Sequence, residues 1–357
     1  MTDVTKLKRA VAFLREEIPA QDISKNPVIQ HPHNTARTVP ERLPAARIKE
    51  LSQLKPRVAV LWTLGEWAAI GAAIALCTYF WNPLLYVFAV VFIGARQHAL
   101  LILGHDASHY RTLRTRWQND LFANIFLMWP TFASVEAFRK FHGTHHQYTN
   151  LPDDGNRHIW YTHDAAGDLA PDWRFPKTRL GLAVVLLRRA AFLTGLFWIV
   201  RGLVGATLIP SPSWMRAARF GFYASVIATL SYFGLWYQFL LFWIVPFCTW
   251  HIAAQYIRLI CEHSAVESDV EEYAITRTTI PTLLERIFIL PCNVGYHLEH
   301  HWYPSVPFYR LPELHRELMQ RHGFRQNAII RHSVFTSLGE CVRKAATSPP
   351  SETGARV

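Results

Sequence analysis

Two long apolar runs separated by a single Asn-Pro pair place the strongest limit on this chain. The first extends from Val58 to about Trp81 and the second from Leu84 to about Gly104. Each is close to the ~20 residues that a helix needs to cross a bilayer. Inside hydrocarbon, a helix satisfies all of its backbone N–H and C=O groups internally. Asn82-Pro83 is a turn signal, so the two runs read as a hairpin with almost no external loop. A second pair follows, from about Phe220 to Trp236 and from Phe239 to about Cys261, with Pro246 expected to kink the latter. The expected fold class is an all-α integral membrane protein with four transmembrane helices in two hairpins.

The segments between and around the spans are organised by the same criteria. DLFANIFLMWP (120–130) is too short to span and is stopped by Pro130, so it reads as interfacial or re-entrant. The stretch 178–208 is apolar but interrupted by Arg188, Arg189 and Arg201, which favours a membrane-surface helix. Residues 1–56 form a polar, proline-broken cytosolic segment with no secretory signal, and 57–322 form the membrane domain. Residues 323–357 carry a C-terminal helix and a tail ending SPPSETGARV, expected to be disordered. In LPELHRELMQRHG, Gly323 suits a helix C-cap.

Charge gives the orientation. The net charge is +11, which nucleic acid could answer, but the Lys and Arg residues flank apolar runs as membrane topology requires. The hairpin tips FWNP and LWYQ carry no Lys or Arg. The opposite ends carry Lys55, Arg57, Arg111, Arg114, Arg116, Arg139, Lys140, Arg216 and Arg219. By the positive-inside rule both termini face the cytosol, and no nucleic-acid partner is expected. The five cysteines are scattered, which speaks against a disulfide framework or a zinc-thiolate site.

Three histidine clusters fall on that cytosolic side. They are GHDASHY (His105, His109), FHGTHHQYTN (His142, His145, His146) and GYHLEHHWYP (His297, His300, His301). Residues i, i+3 and i+4 share a helix face, so each cluster can converge. A lone HxxxH is more often a pair of ordinary polar residues than a metal site. Three such clusters on one membrane face are not, because polar groups at span ends are costly unless used. Neutral imidazole binds Fe, Zn, Cu or Ni. Eight histidines exceed one catalytic zinc, which takes three protein ligands and keeps a position open, so two metals are the natural count. Glu299, about 200° around a helix from His297, points away and can orient a ligand from outside.

These clusters resemble the three histidine boxes of the membrane fatty-acid desaturase superfamily, in order and at similar separations from the spans, over roughly residues 57–322. The resemblance implies a cytosolic helical cap on four spans, holding two iron ions (Fe2+/Fe3+) that activate dioxygen. It also implies a further histidine at the end of the fourth span; ICEHSAV offers His263 as a ninth ligand, with Glu262 and Arg258 near it. Other histidines have weaker readings. His98 lies about 10 Å deeper than His105 by helical rise and either lines a substrate cavity or hydrogen-bonds within the bundle; Trp67 is a second candidate for that cavity. His251 is too deep for direct ligation. His158 and His163 follow the second box. Asp153 and Asp154 either orient ligating histidines, pair with Arg157 or cap a loop. His31, His33, His315, His322 and His332 read as surface residues.

Breaking an unactivated C–H bond needs an oxidising cofactor. The reaction implied is O2-dependent desaturation of the acyl chain of a lipid. A hydroxylase or ketolase of a lipid or carotenoid, or a desaturase of a small non-lipid metabolite, remains an alternative, because the outcome depends on substrate placement. No Gly-rich dinucleotide loop and no fused-haem motif is present, so electrons come from a separate ferredoxin or cytochrome, which the basic rim can steer. A membrane zinc hydrolase would use fewer histidines and no electron donor, and a metal transporter would place them at mid-membrane.

Overall fold

The computed structural model describes residues 42–151, 153–156, 170–268 and 270–342. The expectations for His31, His33, Arg157, His158, His163 and the terminal tail lie outside these residues. Helix α1 (Ala45–Leu51) precedes α2 (Pro56–Tyr79) and α3 (Pro83–Ser108). Both long helices carry proline in the first turn, where a missing N–H costs nothing. The Asn82 side chain accepts from the Leu85 N–H at 2.8 Å and caps α3, so the Asn-Pro pair makes the expected tight hairpin. Helix α2 leaves Leu61, Leu64 and Leu76 exposed, whereas α3 buries every residue from Gln97 to Ser108. One buried charge in each helix is matched by the other: Arg96 Nη1 lies 2.9 Å from Glu66 Oε2.

Helix α4 (Arg116–Ala123) runs into a π turn at Asn124–Met128, and α5 (Val135–Gln147) follows. Asn124, Leu127, Met128 and Trp129 are buried and the π turn packs against α3, while Phe126 stays exposed. Helices α6 (Arg179–Arg189) and α7 (Phe192–Leu208) replace the single surface helix expected over 178–208, with a bend of 58° between them. The arginines mark the break: Arg188 and Arg189 end α6, both paired with Asp172 at 3.1 and 2.9 Å. Helix α8 (Ser213–Tyr232) then turns into α9 (Trp236–His263).

Among the described residues, three helices are long and apolar enough to cross a membrane: α2, α3 and α9. A fourth is reached only if the bent pair α6–α7 counts as one span. Helix α8, which contains most of the expected third span, is not among them. Pro246 does not break α9. The lost hydrogen bond is absorbed by π turns at Leu240–Ile244 and Phe247–His251 on either side of it.

The remainder is short elements: β1 (Thr278–Thr279), α10 (Leu283–Phe288), α11 (His297–Trp302), α12 (Leu311–Leu318), α13 (His322–Asn327), β2 (Ile330–Arg331) and α14 (Val334–Glu340). The two strands pair in parallel. Gly323 lies inside α13 rather than capping α12, which already ends at Leu318. Leu51 of α1 shares a core with Leu298, Leu311, Leu314 and Phe324, and Arg47 Nη2 reaches Glu313 Oε1 at 2.7 Å. Helix α1 is thus docked on the C-terminal elements, next to α11.

Candidate metal centre

Four helices present the histidines, and each is held by polar contacts made elsewhere on it. His105 lies in the last turn of α3 and His109 is its C-cap. The Asn119 amide donates to the Ala107 carbonyl at 2.9 Å, and Arg139 Nε donates to the Ser108 carbonyl at 2.8 Å. Arg139 also pairs with Asp120 at 2.6 Å, so α3, α4 and α5 are tied together beside the site. Ser134 caps α5, accepting from the Ala137 N–H at 3.2 Å, and α5 carries His142, His145 and His146. His263 is the last residue of α9, and α11 carries His297, His300 and His301.

The nine histidines are buried and divide into two groups. His105, His109, His142, His146 and His300 form one, and His145, His263, His297 and His301 the other; within each group the ligand atoms lie within 4.8 Å of one another. Helical spacing fits the pairings within each helix. His142 and His146, four apart, stay together, as do His297 and His301, while the intervening His145 and His300 cross to the opposite group. Within the groups, Nε2 atoms stand 3.0 Å apart for His142–His146, His146–His300 and His263–His297, 3.1 Å for His145–His263 and 3.2 Å for His297–His301.

These separations fit a cation and not a hydrogen-bond network. His145 Nδ1 faces Asp154 Oδ1 at 2.8 Å and His263 Nδ1 faces the Ile275 carbonyl at 3.1 Å. Both partners only accept, so both Nδ1 atoms carry the proton, and in neutral rings both Nε2 atoms are bare lone pairs. Two lone pairs 3.1 Å apart repel unless a cation lies between them. Nitrogens about 2.1 Å from a first-row ion and at right angles about it stand about 3.0 Å apart. Burial first, and then neighbouring charge including the other imidazoles, push His142, His146, His297, His300 and His301 well below the ordinary histidine range. They are therefore neutral at pH 7, the ligand form.

The two groups have different surroundings. Three Nδ1 atoms of the second group have an oxygen partner, namely Asp154 for His145, the Ile275 carbonyl for His263 and Thr149 Oγ1 at 3.4 Å for His301, whereas His297 Nδ1 lies 3.4 Å from Glu262 Oε1 without a hydrogen bond. In the first group, Nδ1 of His109 and of His146 has no hydrogen-bond partner among the described residues. Asp154 thus takes one of the roles its sequence position suggested. Thr149 was missed, although its place four residues after His145 is a usable signal; the Ile275 carbonyl leaves none.

The family model described as Fatty acid desaturase matches residues 81–330. The chain belongs to the fatty acid desaturase family. It is 31% identical over 291 residues to dihydrorhizobitoxine desaturase of Bradyrhizobium elkanii, covering 78% of this chain and 81% of that protein. It is 24% identical over 288 residues to the sn-1 oleoyl-lipid 12-desaturase of Anabaena variabilis, covering 74% and 75%. A sn-1 acyl-lipid omega-3 desaturase (ferredoxin) of Nostoc sp. (strain 36) is 22% identical over 293 residues, covering 76% and 79%. As a desaturase-family protein the chain is an oxidoreductase.

The other expected residues lie outside the two histidine groups. Glu299 does point away: its carboxylate accepts from Thr278 Oγ1 at 2.6 Å and is bonded to His315 Nδ1. His315 is therefore buried against Glu299, not at the surface; it joins α12 to α11. His322 and His332 are exposed, as expected. Trp67 donates Nε1–H to the Phe126 carbonyl at 2.9 Å and stacks on Trp243 at 5.3 Å. His98 faces His251 with ring centroids 5.9 Å apart. Neither Trp67 nor His98 lines the apolar cavity beside the centre, whereas His251 does.

Proposed function

We propose that the protein is a membrane-bound, di-iron, O2-dependent desaturase that forms a C=C bond in an apolar segment of its substrate. The observation that carries this reading is the pair of buried histidine groups whose bare nitrogens converge at cation-compatible separations. In this reading His105, His109, His142, His146 and His300 hold one iron, and His145, His263, His297 and His301 hold the other. An iron pair so held supplies, with dioxygen and two electrons, the oxidising power that no side chain has. The chain's own residues do the rest: Asp154, Thr149 and the Ile275 carbonyl fix ring orientation, and Phe138 and Phe141 keep water from the reacting carbons.

The membrane desaturase domain is assigned to residues 57–322, with 1–56 and 323–357 flanking it, four spans, and both termini and the site in the cytosol. The charge asymmetry between hairpin tips and span ends supports that orientation. The electron donor is a separate ferredoxin or cytochrome, a reading supported by the ferredoxin named for the Nostoc relative. The Anabaena relative supports the acyl chain of a lipid as substrate. A second reading, a small metabolite with an apolar segment, is favoured by the size of the cavity beside the histidines, about 100 Å³.

Labelled dioxygen tests the reaction. Purified protein with two irons, supplied with a reductant, should place both labelled atoms in water and none in the organic product. Label in the product as the main outcome would reassign the protein as a hydroxylase or ketolase, and a protein active without iron would remove the di-iron reading.

A further inference from the structure

Residues 282–290 lead into the third histidine cluster but lie deeper than it. The Phe288 ring packs edge-on against Phe88 and Phe92 of α3, with centroids 6.3 Å away in both cases. By helical rise Phe92 and Phe88 lie roughly 20 and 26 Å along α3 from His105. The ring is therefore level with the half of α3 nearest the hairpin tip. There α3 exposes Leu84, Val87 and Phe88, an apolar surface of the kind that faces lipid. The base of the excursion stays at the level of the histidines. The Thr279 N–H donates to the Gly295 carbonyl at 2.8 Å, and Thr278 Oγ1 donates to Glu299 of α11 at 2.6 Å.

The polar groups of this segment are matched as hydrocarbon requires. Helix α10 has only six residues, so its backbone groups lie in end turns that need outside partners. At its start Thr282 and Glu285 form a reciprocal capping box. At its end the Arg96 guanidinium donates to the Ile287 carbonyl, and Trp250 Nε1 donates to the Phe288 carbonyl at 2.9 Å. Non-helical backbone is tolerated at membrane depth only where the protein supplies such partners. The Arg96 charge, costly at that depth, thereby serves both Glu66 and a helix end. The apolar side chains are not covered in the same way. Leu283 is 72% exposed, Leu284 68% and Phe335 of α14 77%. Phe335 belongs to the same surface, because Glu285 Oε1 accepts from Ser333 Oγ at 2.6 Å and from the Val334 N–H at 2.9 Å. Arg286 is exposed beside them, on a stem long enough to carry its charge out to lipid headgroups.

We propose that residues 282–290 re-enter the bilayer alongside α3, and that Leu283, Leu284 and Phe335 are seated among lipid acyl chains as an anchor for the C-terminal elements. The occupant of this face is lipid, because the face continues through Phe288 onto the exposed apolar side of α3. The base of the segment is bonded to α11, so the anchor sets the depth at which His297, His300 and His301 are held. The proposal rests on α3 crossing the bilayer and not on the chemistry at the histidines.

Fluorescence quenching tests the seating. Leu284→Cys and Phe335→Cys are made singly in iron-loaded protein whose five native cysteines, all buried, have been replaced. Each is labelled with a small fluorophore and placed in phosphatidylcholine nanodiscs. Val87→Cys on α3 serves as the lipid reference and Arg325→Cys, exposed on α13, as the water reference. Lipids brominated on the acyl chain should quench the Leu284 and Phe335 labels about as much as the Val87 label and several-fold more than the Arg325 label. Iodide in the water should quench them several-fold less than the Arg325 label. Adding Leu283→Glu and Leu284→Glu to the Phe335→Cys protein should lift that label out, with bromine quenching falling and iodide quenching rising. Quenching at Leu284 and Phe335 like that at Arg325 would overturn the proposal. Protection from both reagents would overturn it too, since it would mean that a protein surface or a second copy covers the face. Unchanged quenching at Phe335 in the charged variant would remove the shared anchor. None of these readouts depends on turnover, so the desaturase reading fails by different results, either iron-free activity or label in the product.

Discussion

The Asp154 carboxylate collects three donors: His145 Nδ1–H at 2.8 Å and the N–H groups of Asn156 at 2.7 Å and Asn150 at 2.8 Å. The loop fixes the carboxylate and the carboxylate fixes the ring, so His145 Nε2 is bare and aimed at the second histidine group. Removing such a partner typically costs about 10- to 100-fold in metal affinity. Asp154→Ala protein should therefore lose iron from the four-histidine group first, falling from two irons toward one under a graded chelator challenge; two irons held as firmly as in the parent would sink that role. Alanine at any one of His105, His109, His142, His145, His146, His297, His300 or His301 should abolish turnover while the protein still inserts in the membrane. His263→Ala should do the same. Full activity in two or more of these variants would refute the ligand assignment, and activity with intact iron in His263→Ala would leave water or another residue as the ninth ligand.

At the scale of elements, α7 is seated by two glycines. A Cβ on Gly195 would lie 2.1 Å from Cys248 Cα of α9, and one on Gly202 would lie 2.2 Å from the Phe132 carbonyl oxygen. Both neighbours are backbone and cannot step aside. The close approach packs Trp198 against Phe247 and Cys248 of the π turn that carries His251, and places Trp198 and Arg201 on the wall of the same cavity as His251. Gly195→Val or Gly202→Val should destabilise the protein by about 1–3 kcal/mol, the usual penalty for overpacking, read as a lower thermal midpoint of the iron-loaded protein in detergent. An unchanged midpoint in both variants would show that α7 does not pack in this way. The π turns around Pro246 have a related effect: the wider turns re-aim the residues beyond them, so His251 faces the cavity.

For the whole molecule, the question is which ends share a side. Single cysteines at Asn82 and Gln238 in an otherwise cysteine-free protein should be labelled by an impermeant reagent only from outside, and cysteines near either terminus only from the cytosol. Labelling of either tip from the cytosol alone would overturn the four-span topology. The composition of α8 makes this a sharp test. It falls short of the apolar length of α2, α3 and α9, with Arg216 and Arg219 in its first half. The Arg219 guanidinium is bonded to the Ala206 carbonyl of α7.

The sequence alone determined the elements that local chemistry controls. Apolar length set α2, α3 and α9, and Asn82-Pro83 set the first turn, because capping and proline geometry act within a few residues. The histidine spacing pointed to the residues that the structure gathers into two neighbouring groups, since helical periodicity puts each cluster on one face. It could not show how nine histidines divide between two groups. That depends on how α3, α5, α9 and α11 meet, a matter of contacts between residues as far apart as His146 and His300. The bend between α6 and α7 was hidden for the same reason, because Arg188 and Arg189 end a helix here through their pairing with Asp172. His315 and Thr149 carry no sequence signature of their roles beyond proximity, and the Ile275 carbonyl carries none. Only tertiary packing brings a backbone oxygen to an imidazole twelve residues away and a buried arginine to the wall of a small apolar cavity.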